Sequence, residues 1–530
     1  ENSDVKKIER ALQRLHDVAH ARPLREDGRH ILIFNLRPWY THLAHEGILA
    51  ARLRYAGHHV SYYTCLHDLT FCMRHNMNAP ESIRVCHGAQ CLAKKRWMDS
   101  RFPLHSLGPM SAEAADQCRR IDALGLEDWE SYAWRGLAIG SLCASSMFWY
   151  FRRTHFTEAD VATLRQFLKT AVHVADCFDV FLETNRPDVV LLYGGAHFTE
   201  AVVVELCRRR GVRSVTWAQT WNELFIAAQD KSTWASLDLE RFDLAKAQIP
   251  AEILQKGRDL LAFWKKKHGY QGFIFWEKQN RQASDAGQVI RGDPRPFAVA
   301  YTNTTFETGI LRKKRIWNDQ FEWSVSLVEY FRRHPEYRLI IRVHPAEAVK
   351  DEYRVGEWYL DRMKDYVRDW PENVTIIPPE SPVSSYELAY SARVALTYVS
   401  TIAMELAWQG VPVITAGHCH YVGRGFSCDP EDEAAYHRAL DRYLAERQAV
   451  TDDMVSAVER YIAWLIYVRL VEFEPLELGR RESYLRCRKI KPRQVFSGKL
   501  AGLEAVCSLI LDGREWWRLD QTGPAEAAAS

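Results

Sequence analysis

The sequence predicts an α/β protein made of two doubly wound, Rossmann-like domains facing a cleft, with helices at the C-terminus. Three observations predict it. Short apolar runs of strand length alternate with helix-length amphipathic stretches. Several helices stop at a glycine, the residue that a left-handed C-cap favours. The alternation halts once, in a stretch with few apolar residues closed by Pro294 and Pro296 (Glu277–Pro296), and then restarts. Strands separated by helices pair in parallel, because only a crossover of a dozen residues or more brings the chain back to the same sheet edge. A chain of 530 residues is also too long for one core, and two large domains follow.

In the first half, "HILIFNL" (30–36) reads as a strand. A helix follows in "HEGILAARLRYAG", stopped by Gly57, and "HHVSYYTC" is the next strand. Residues 95–150 are irregular and read as an inserted helical region. "FLKTAVHVADCFDVFLETNRP" is helical up to Pro187, "DVVLLYGG" is a strand, "TEAVVVELCRRRG" a helix and "VRSVTWAQ" a strand. The second half gives strands in "FAVAYTN", "RLIIRV", "NVTIIPP", "RVALTYVS" and "VPVITAG". Helices lie between them: 318–337 with Asn318 as N-cap, 352–370, 384–392 and 401–410. Domains are expected at 1–285 and 290–455, with a helical segment at 456–530 packing across both.

The charge balance is near zero, net +2 from 70 basic and 68 acidic side chains, which argues against a nucleic-acid binder. No apolar run of about 18 residues is present, as a membrane-spanning helix requires. The longest candidate, Tyr461–Val471, is short and contains Arg469. The chain opens on a charged amphipathic stretch, not a secretory signal. Most of its twelve cysteines sit singly in apolar segments, as reduced thiols do. The expectation is a cytoplasmic protein, with peripheral contact at the inner face of the membrane left open.

Ligands of open α/β sheets bind beyond the carboxyl ends of the strands. Three strands of the second half end there in polar residues: Thr302, Asn303 and Thr304; Arg342 and His344-Pro345; and Ser400-Thr401. A helix N-terminus at Thr401 favours an anion, and both hydroxyls can donate to it. An imidazole on a neighbouring strand end can donate to a phosphate oxygen, and Pro345 fixes the chain that carries it. Glu405 lies one helical turn after Thr401 in an otherwise apolar segment, placed to accept from a pair of hydroxyls. Gly417 and Gly423 follow a strand and allow close backbone approach to a phosphate, whereas His418, Cys419 and His420 between them read as a plain loop. Arg312–Arg315 reads as a solvated basic loop. In the first half, His42, His45 and Glu46 follow one strand, and His197 and Glu200 another. Glu46 and Glu200 are the general-base candidates. No catalytic metal is required, since helix dipoles and basic side chains can offset phosphate charge. Cys65, Cys72, Cys86 and Cys91 cluster in one segment, at spacings that match no standard finger. They read either as a structural zinc knot or as reduced thiols in a loop.

The second half resembles the bacterial capsule polysaccharide biosynthesis family, which includes Kdo transferases. The resemblance is carried by "YTNTTFE", "LIIRVHPAE", "ENVTIIPPESPVSSYELA" and "STIAMELAWQGVPVITAGHCHYVGRGF", and more weakly by "SSMFWYFRR" and "NRPDVVLLYGG". It implies a GT-B glycosyltransferase that moves a sugar from a nucleotide-sugar donor, CMP-linked in the Kdo transferases, to a surface polysaccharide or glycolipid acceptor. It also implies that His344, Ser400-Thr401 and Glu405 meet the donor. Related sequences carry Trp-Asp where this chain has Phe306-Glu307, which puts that acid's role in doubt. The rivals are a CDP-polyol phosphotransferase of the teichoic-acid polymerase type, a sugar-nucleotide epimerase and a non-catalytic glycan-assembly protein.

Overall fold

A computed structural model describes residues 2–37, 39–73, 97–98, 101–220, 224–233, 237, 244, 246–266, 286–306, 314–348, 356–481 and 484–517. The chain forms two compact units. The first comprises 1–151, 156–237 and 470–516; the second comprises 152–155, 238–469 and 517–530.

The first unit begins with α1 (Asn2–His20), β1 (His30–Asn35), α2 (Tyr40–Tyr55), β2 (His59–Thr64) and β3 (Leu104–His105). It continues through α3 (Ala112–Ile121), α4 (Ile139–Phe151), α5 (Val161–Asn185), β4 (Val189–Tyr193), α6 (Phe198–Arg210), β5 (Arg213–Gln219) and β6 (Phe225–Gln229). The sheet order is β3-β2-β1-β4-β5-β6. Its strands are parallel except β6, which turns back antiparallel on β5 with Trp217 opposite Ala227. The apolar runs predicted this sheet because a parallel sheet is covered on both faces: Ile31, Leu32, Ile33 and Phe34 are all buried. The span 95–150, expected to be helical, supplies α3 and most of α4 but also strand β3 and a non-helical stretch at 122–138. Its α3 and α4 cover one face with α5, joining Phe34, Tyr63, Phe167 and Phe178 in one core.

The second unit holds α7 (Ala251–Lys266), α8 (Gly287–Arg291), β7 (Phe297–Tyr301), α9 (Gln320–Arg333), β8 (Arg338–Arg342), α10 (Tyr359–Tyr366) and β9 (Val374–Ile377). After these come α11 (Ser385–Ser391), β10 (Val394–Thr397), α12 (Ile402–Trp408), β11 (Val413–Thr415), α13 (Glu433–Ala445) and α14 (Asp452–Trp464). All five strands are parallel, in the order β11-β10-β7-β8-β9. Trp323, Tyr330, Tyr359 and Tyr436 fill the core on one face. The fold class is therefore α/β with two doubly wound, Rossmann-like sheets.

Four local expectations change. The N-cap of α9 is Asp319, which accepts from Phe321 N–H at 2.8 Å and Glu322 N–H at 2.9 Å. Asn318 instead donates through its side chain to Glu322 at 2.6 Å. Of the helix expected at 352–370, residues 352–355 lie outside the described residues, and the described part forms α10. The boundary near residue 285 also moves: α7 belongs to the second unit, where Gly257 packs against Ala463 of α14 so closely that a side chain would not fit. The segment 456–530 is not purely helical. After α14 the chain returns to the first unit with an antiparallel hairpin, β12 (Leu476–Arg481) and β13 (Tyr484–Ile490), then α15 (Pro492–Val495) and α16 (Ala501–Asp512). Among the described residues no helix is long and apolar enough to cross a membrane.

Candidate functional site

In a doubly wound sheet, the ligand crevice lies where the strand order reverses, because the flanking loops there diverge to opposite faces. The second unit winds from β7 through β8 to β9, then returns to place β10 and β11 on the other side. Its reversal lies between β7 and β10. The first unit has the strand order of dinucleotide-binding folds, 3-2-1-4-5-6, and reverses between β1 and β4.

At the second unit's reversal, Thr302, Asn303 and Thr304 follow β7, and Tyr398 to Thr401 follow β10. Thr302 is buried, and its Oγ1 accepts from His344 N–H at 2.9 Å. Asn303 Oδ1 accepts from Val399 N–H at 3.3 Å, tying the ends of β7 and β10 together. Both side chains thus hold strand ends. Thr304 is fully buried and its hydroxyl has no hydrogen-bond partner among the described residues.

His344 leaves β8 into a short 3-10 turn, Pro345–Ala348. Pro345 has no N–H, and the next amide, Ala346 N–H, donates to His344 Nδ1 at 3.2 Å. A neutral imidazole carries one N–H; with Nδ1 accepting, the proton sits on Nε2. Burial, helped by the Arg342 charge, pushes the His344 pKa down to about 4. At neutral pH His344 is therefore an uncharged Nε2–H donor.

Arg342 differs from its expected role. It donates to the carbonyls of Pro378 at 2.5 Å and Ser381 at 3.1 Å, and to Ser385 Oγ at 3.4 Å. These contacts clamp the loop between β9 and α11, so the guanidinium's hydrogen bonds are spent on that loop. Gly417 and Gly423 are also explained without a phosphate. Gly417 N–H donates to Tyr398 O at 2.8 Å, and a Cβ there would stand 2.7 Å from that same oxygen. Gly423 has φ +74 and donates its N–H to Asp429 at 2.8 Å. Both amides are taken. Arg315 likewise donates to Pro430 O at 2.7 Å and to Thr415 Oγ1 at 3.1 Å.

Ser400 is half-buried, and its carbonyl accepts from Tyr421 OH at 2.6 Å. Thr401 is exposed; it is the N-cap of α12 but makes no side-chain capping bond. Glu405 is buried on α12 and accepts from Tyr386 OH at 2.9 Å. Burial raises its pKa to about 7, against the lowering effect of the Tyr386 hydrogen bond. His420 pairs with Tyr461 OH at 2.5 Å, in keeping with a plain loop.

At the first unit's reversal the two carboxylates come together with opposite charge states. Glu46, buried on α2, accepts from Asn35 Nδ2 through Oε2, while its buried Oε1 has no partner within hydrogen-bonding geometry. Burial pushes its pKa up to about 8, and the nearby Glu200 charge adds to that push. Glu200, in the first turn of α6, pairs with Arg37 just beyond β1 and accepts from Thr199 Oγ1 at 2.5 Å. Burial alone would raise its pKa, but the Arg37 charge and hydrogen bond, with Thr199, hold it below the ordinary value. Glu46 keeps its proton at neutral pH and Glu200 is ionised. His45 and His197, both pushed down to about 4 by burial, are neutral. The His45 Nδ1–H donates to Thr41 O at 2.8 Å. The His42 ring stacks on Tyr193 at 3.7 Å and on the exposed Trp39 at 5.4 Å.

Arg37 was not singled out in the sequence. Its signal was an arginine-proline pair directly after a strand, the same pattern as His344-Pro345. Among the described residues no group of three or more His, Cys, Asp or Glu could hold a metal ion. Cys65 and Cys72 are described and half-buried; Cys86 and Cys91, like Glu307, lie outside the described residues.

No protein-family model and no curated protein matches the chain. Solved structures give distant likenesses. The beta Kdo 2,4 transferase of Thermosulfurimonas dismutans KpsC is 13% identical over 52% of this chain and 79% of its own, with a TM-score of 0.34. The beta Kdo 2,7 transferase of the same KpsC is 12% identical over 60% and 87%, at 0.33. The UDP-GlcNAc 2-epimerase from Neisseria meningitidis is 11% identical over 82% and 98%, at 0.24. At these scores the chain's own strand order, not the likeness, carries the fold.

Proposed function

We propose that the protein is a glycosyltransferase that binds a nucleotide-sugar in its second unit and a glycan or glycolipid acceptor in its first, working at the inner face of a membrane. The observation that carries this reading is His344. It is held as a neutral Nε2–H donor at the end of β8, one strand from the reversal and tied to Thr302 at the end of β7, in reach of a phosphate or sugar acid bound beyond the strand ends. A donor fixed in advance in a site of low dielectric stabilises charge that builds up on a leaving nucleotide, with no reorganisation during the reaction. Ser400 and Thr401 add hydroxyl donors, and Glu405 has a second oxygen to accept from ribose hydroxyls. On the acceptor side Glu200, ionised at neutral pH, is the better general base of the two carboxylates. It takes the proton from the acceptor hydroxyl as that oxygen bonds to the anomeric carbon and the nucleotide departs. Glu46 still holds its own proton at that pH.

The test is thermal unfolding with CMP, CDP, UDP, GDP and their sugars. Ligand at a hundred times its Kd adds about 2.7 kcal/mol, which at about 2–4 °C per kcal/mol moves Tm by about 5–11 °C in a unit of this size. One nucleotide is expected to produce that shift, CMP tried first, and His344→Ala to abolish it. The proposal fails if no nucleotide stabilises the protein and His344→Ala leaves sugar transfer unchanged.

A further inference from the structure

Glu347 is the buried acid that the donor reading leaves without a role. It sits three residues after His344, is 1% exposed, and receives Tyr359 N–H on Oε2 at 3.1 Å, at the first residue of α10. It thereby supplies the N-terminus of α10 with an acceptor that the N-cap residue, Trp358, does not provide. Its Oε1 is buried without a hydrogen-bond partner among the described residues.

From Glu347 the hydrogen bonds run in a closed circuit. Tyr359 OH donates to Ser324 Oγ at 2.7 Å, and Ser324 Oγ donates to Gln320 O at 2.7 Å. The Gln320 side chain pairs with the Asn303 backbone, accepting from its N–H and donating to its O, each at 2.9 Å. Thr302, next to Asn303, accepts His344 N–H, and His344 O accepts Glu347 N–H at 3.0 Å. Every side chain in the circuit is buried, and the circuit joins the ends of β7 and β8 to α9 and α10. Buried polar groups that satisfy one another in this way fix a single arrangement, because breaking any link leaves a desolvated group unpaired.

We infer that Glu347 is a positioning residue for His344: it pins the 345–348 turn to α10, so that Ala346 N–H stays on Nδ1 and the ring proton stays on Nε2. The link is short. Ala346, which donates to the ring, lies between Pro345 and Glu347 in the turn, and Glu347 ties that turn to a helix twelve residues further along. Without the tie the turn can open. Nδ1 then loses its donor, and with it the hydrogen bond that favours the Nε2–H form over the Nδ1–H form. The consequence for donor binding rests on the function proposed above; the tautomer itself does not.

The test is direct. In full-length protein labelled with 15N-histidine, long-range proton–nitrogen correlation reads the tautomer of each ring, and His344→Ala assigns the signal. The wild type and Glu347→Gln, whose amide oxygen can accept Tyr359 N–H, are expected to show the pure Nε2–H form, with widely separated nitrogen signals. Glu347→Leu, which fills the space without an acceptor, and Glu347→Asp, which is too short to reach, are expected to show a tautomer mixture and a narrowed separation. Either variant suffices if the other does not fold. A pure Nε2–H ring in a folded Leu or Asp variant overturns the inference, as does an Nδ1–H ring in the wild type. If the tautomer moves while nucleotide stabilisation does not, the donor-site reading falls and the positioning role stands.

Discussion

Glu46 offers the sharpest test of how the strand-end cluster of the first unit is charged. Its pKa stands at about 8 in the folded protein, against an ordinary value of 4.5. The folded state therefore holds a proton that the unfolded chain has released, and stability falls as pH rises between those two values. The full loss is about 5 kcal/mol, since each pKa unit is worth about 1.4 kcal/mol. Glu46→Gln keeps an oxygen for Asn35 Nδ2 and removes the titration. Its stability relative to wild type is expected to rise from about 1 kcal/mol near pH 5 to about 4 kcal/mol near pH 8. Urea unfolding followed by tryptophan fluorescence reads this, since Trp217 influences the Glu46 ionisation. Glu200 has the opposite sign. Its folded pKa is depressed, so its contribution is present above 4.5 and is lost as pH falls through the folded value. Glu200→Gln should be most destabilising at neutral pH, by about 3–5 kcal/mol, because Arg37 is left buried without its partner. A gap between Glu46→Gln and wild type that does not change with pH means the carboxyl is already ionised in the folded state, and the assigned charge states are then wrong.

Three further outcomes are expected. Gly417→Ala, whose Cβ would meet Tyr398 O, should cost about 1–3 kcal/mol by overpacking. Gly423→Ala has open space around it and should cost only the left-handed backbone strain, about 1–2 kcal/mol; chemical denaturation ranks the two. Asp319→Ala should lose about 1 kcal/mol for its cap, while Asn318→Ala loses less, and the reverse order in thermal melts would restore the cap to Asn318. Arg342→Met should free the 378–385 loop, seen as faster proteolysis within it, with a loss of about 2–3 kcal/mol from unmade hydrogen bonds to a charged group. Unchanged cleavage would mean the loop is held by other contacts.

Much of the fold was legible because its signals are local. Ile31 to Phe34 and Leu339 to Ile341 are apolar on both faces, and such runs have few alternatives to a parallel strand. Gly57 and Gly211 stop helices where a left-handed residue is needed. What failed to show in the sequence depends on distant partners. Neighbouring Asn318 and Asp319 are both good caps, and only the backbone geometry chooses between them. The β12–β13 hairpin is dense in arginine and lysine, which hides a strand pattern. Nothing in the order of strands along the chain says which pair flanks the reversal of a sheet, so Thr302 and Ser400 could be named while Arg37 and Asn35 could not. Arg342 ends a strand two residues before His344 and so stands among the candidate ligand groups; the loop that captures it arrives some forty residues later. The part played by Glu347 is hidden in the sequence for the same reason, since its partner is the first amide of α10.

The interleaving of the two units bears on how the protein is made. The first unit needs residues 470–516, and these are integral to it: Glu504 of α16 holds Arg52 at 2.8 and 2.9 Å, the carbonyls of Leu509 to Leu511 receive Arg213, and Val471 pairs with Phe225 on the outer strand of the sheet. Ribosomes add about 5–20 residues per second. Roughly 230 residues separate the two parts, so the nascent first unit waits roughly 10–50 s with its β6 edge bare, while the second unit emerges and folds. The half that is translated first thus cannot close until most of the second unit has been made. In limited proteolysis, a chain ending at Arg469 is expected to lose its protease-resistant first unit.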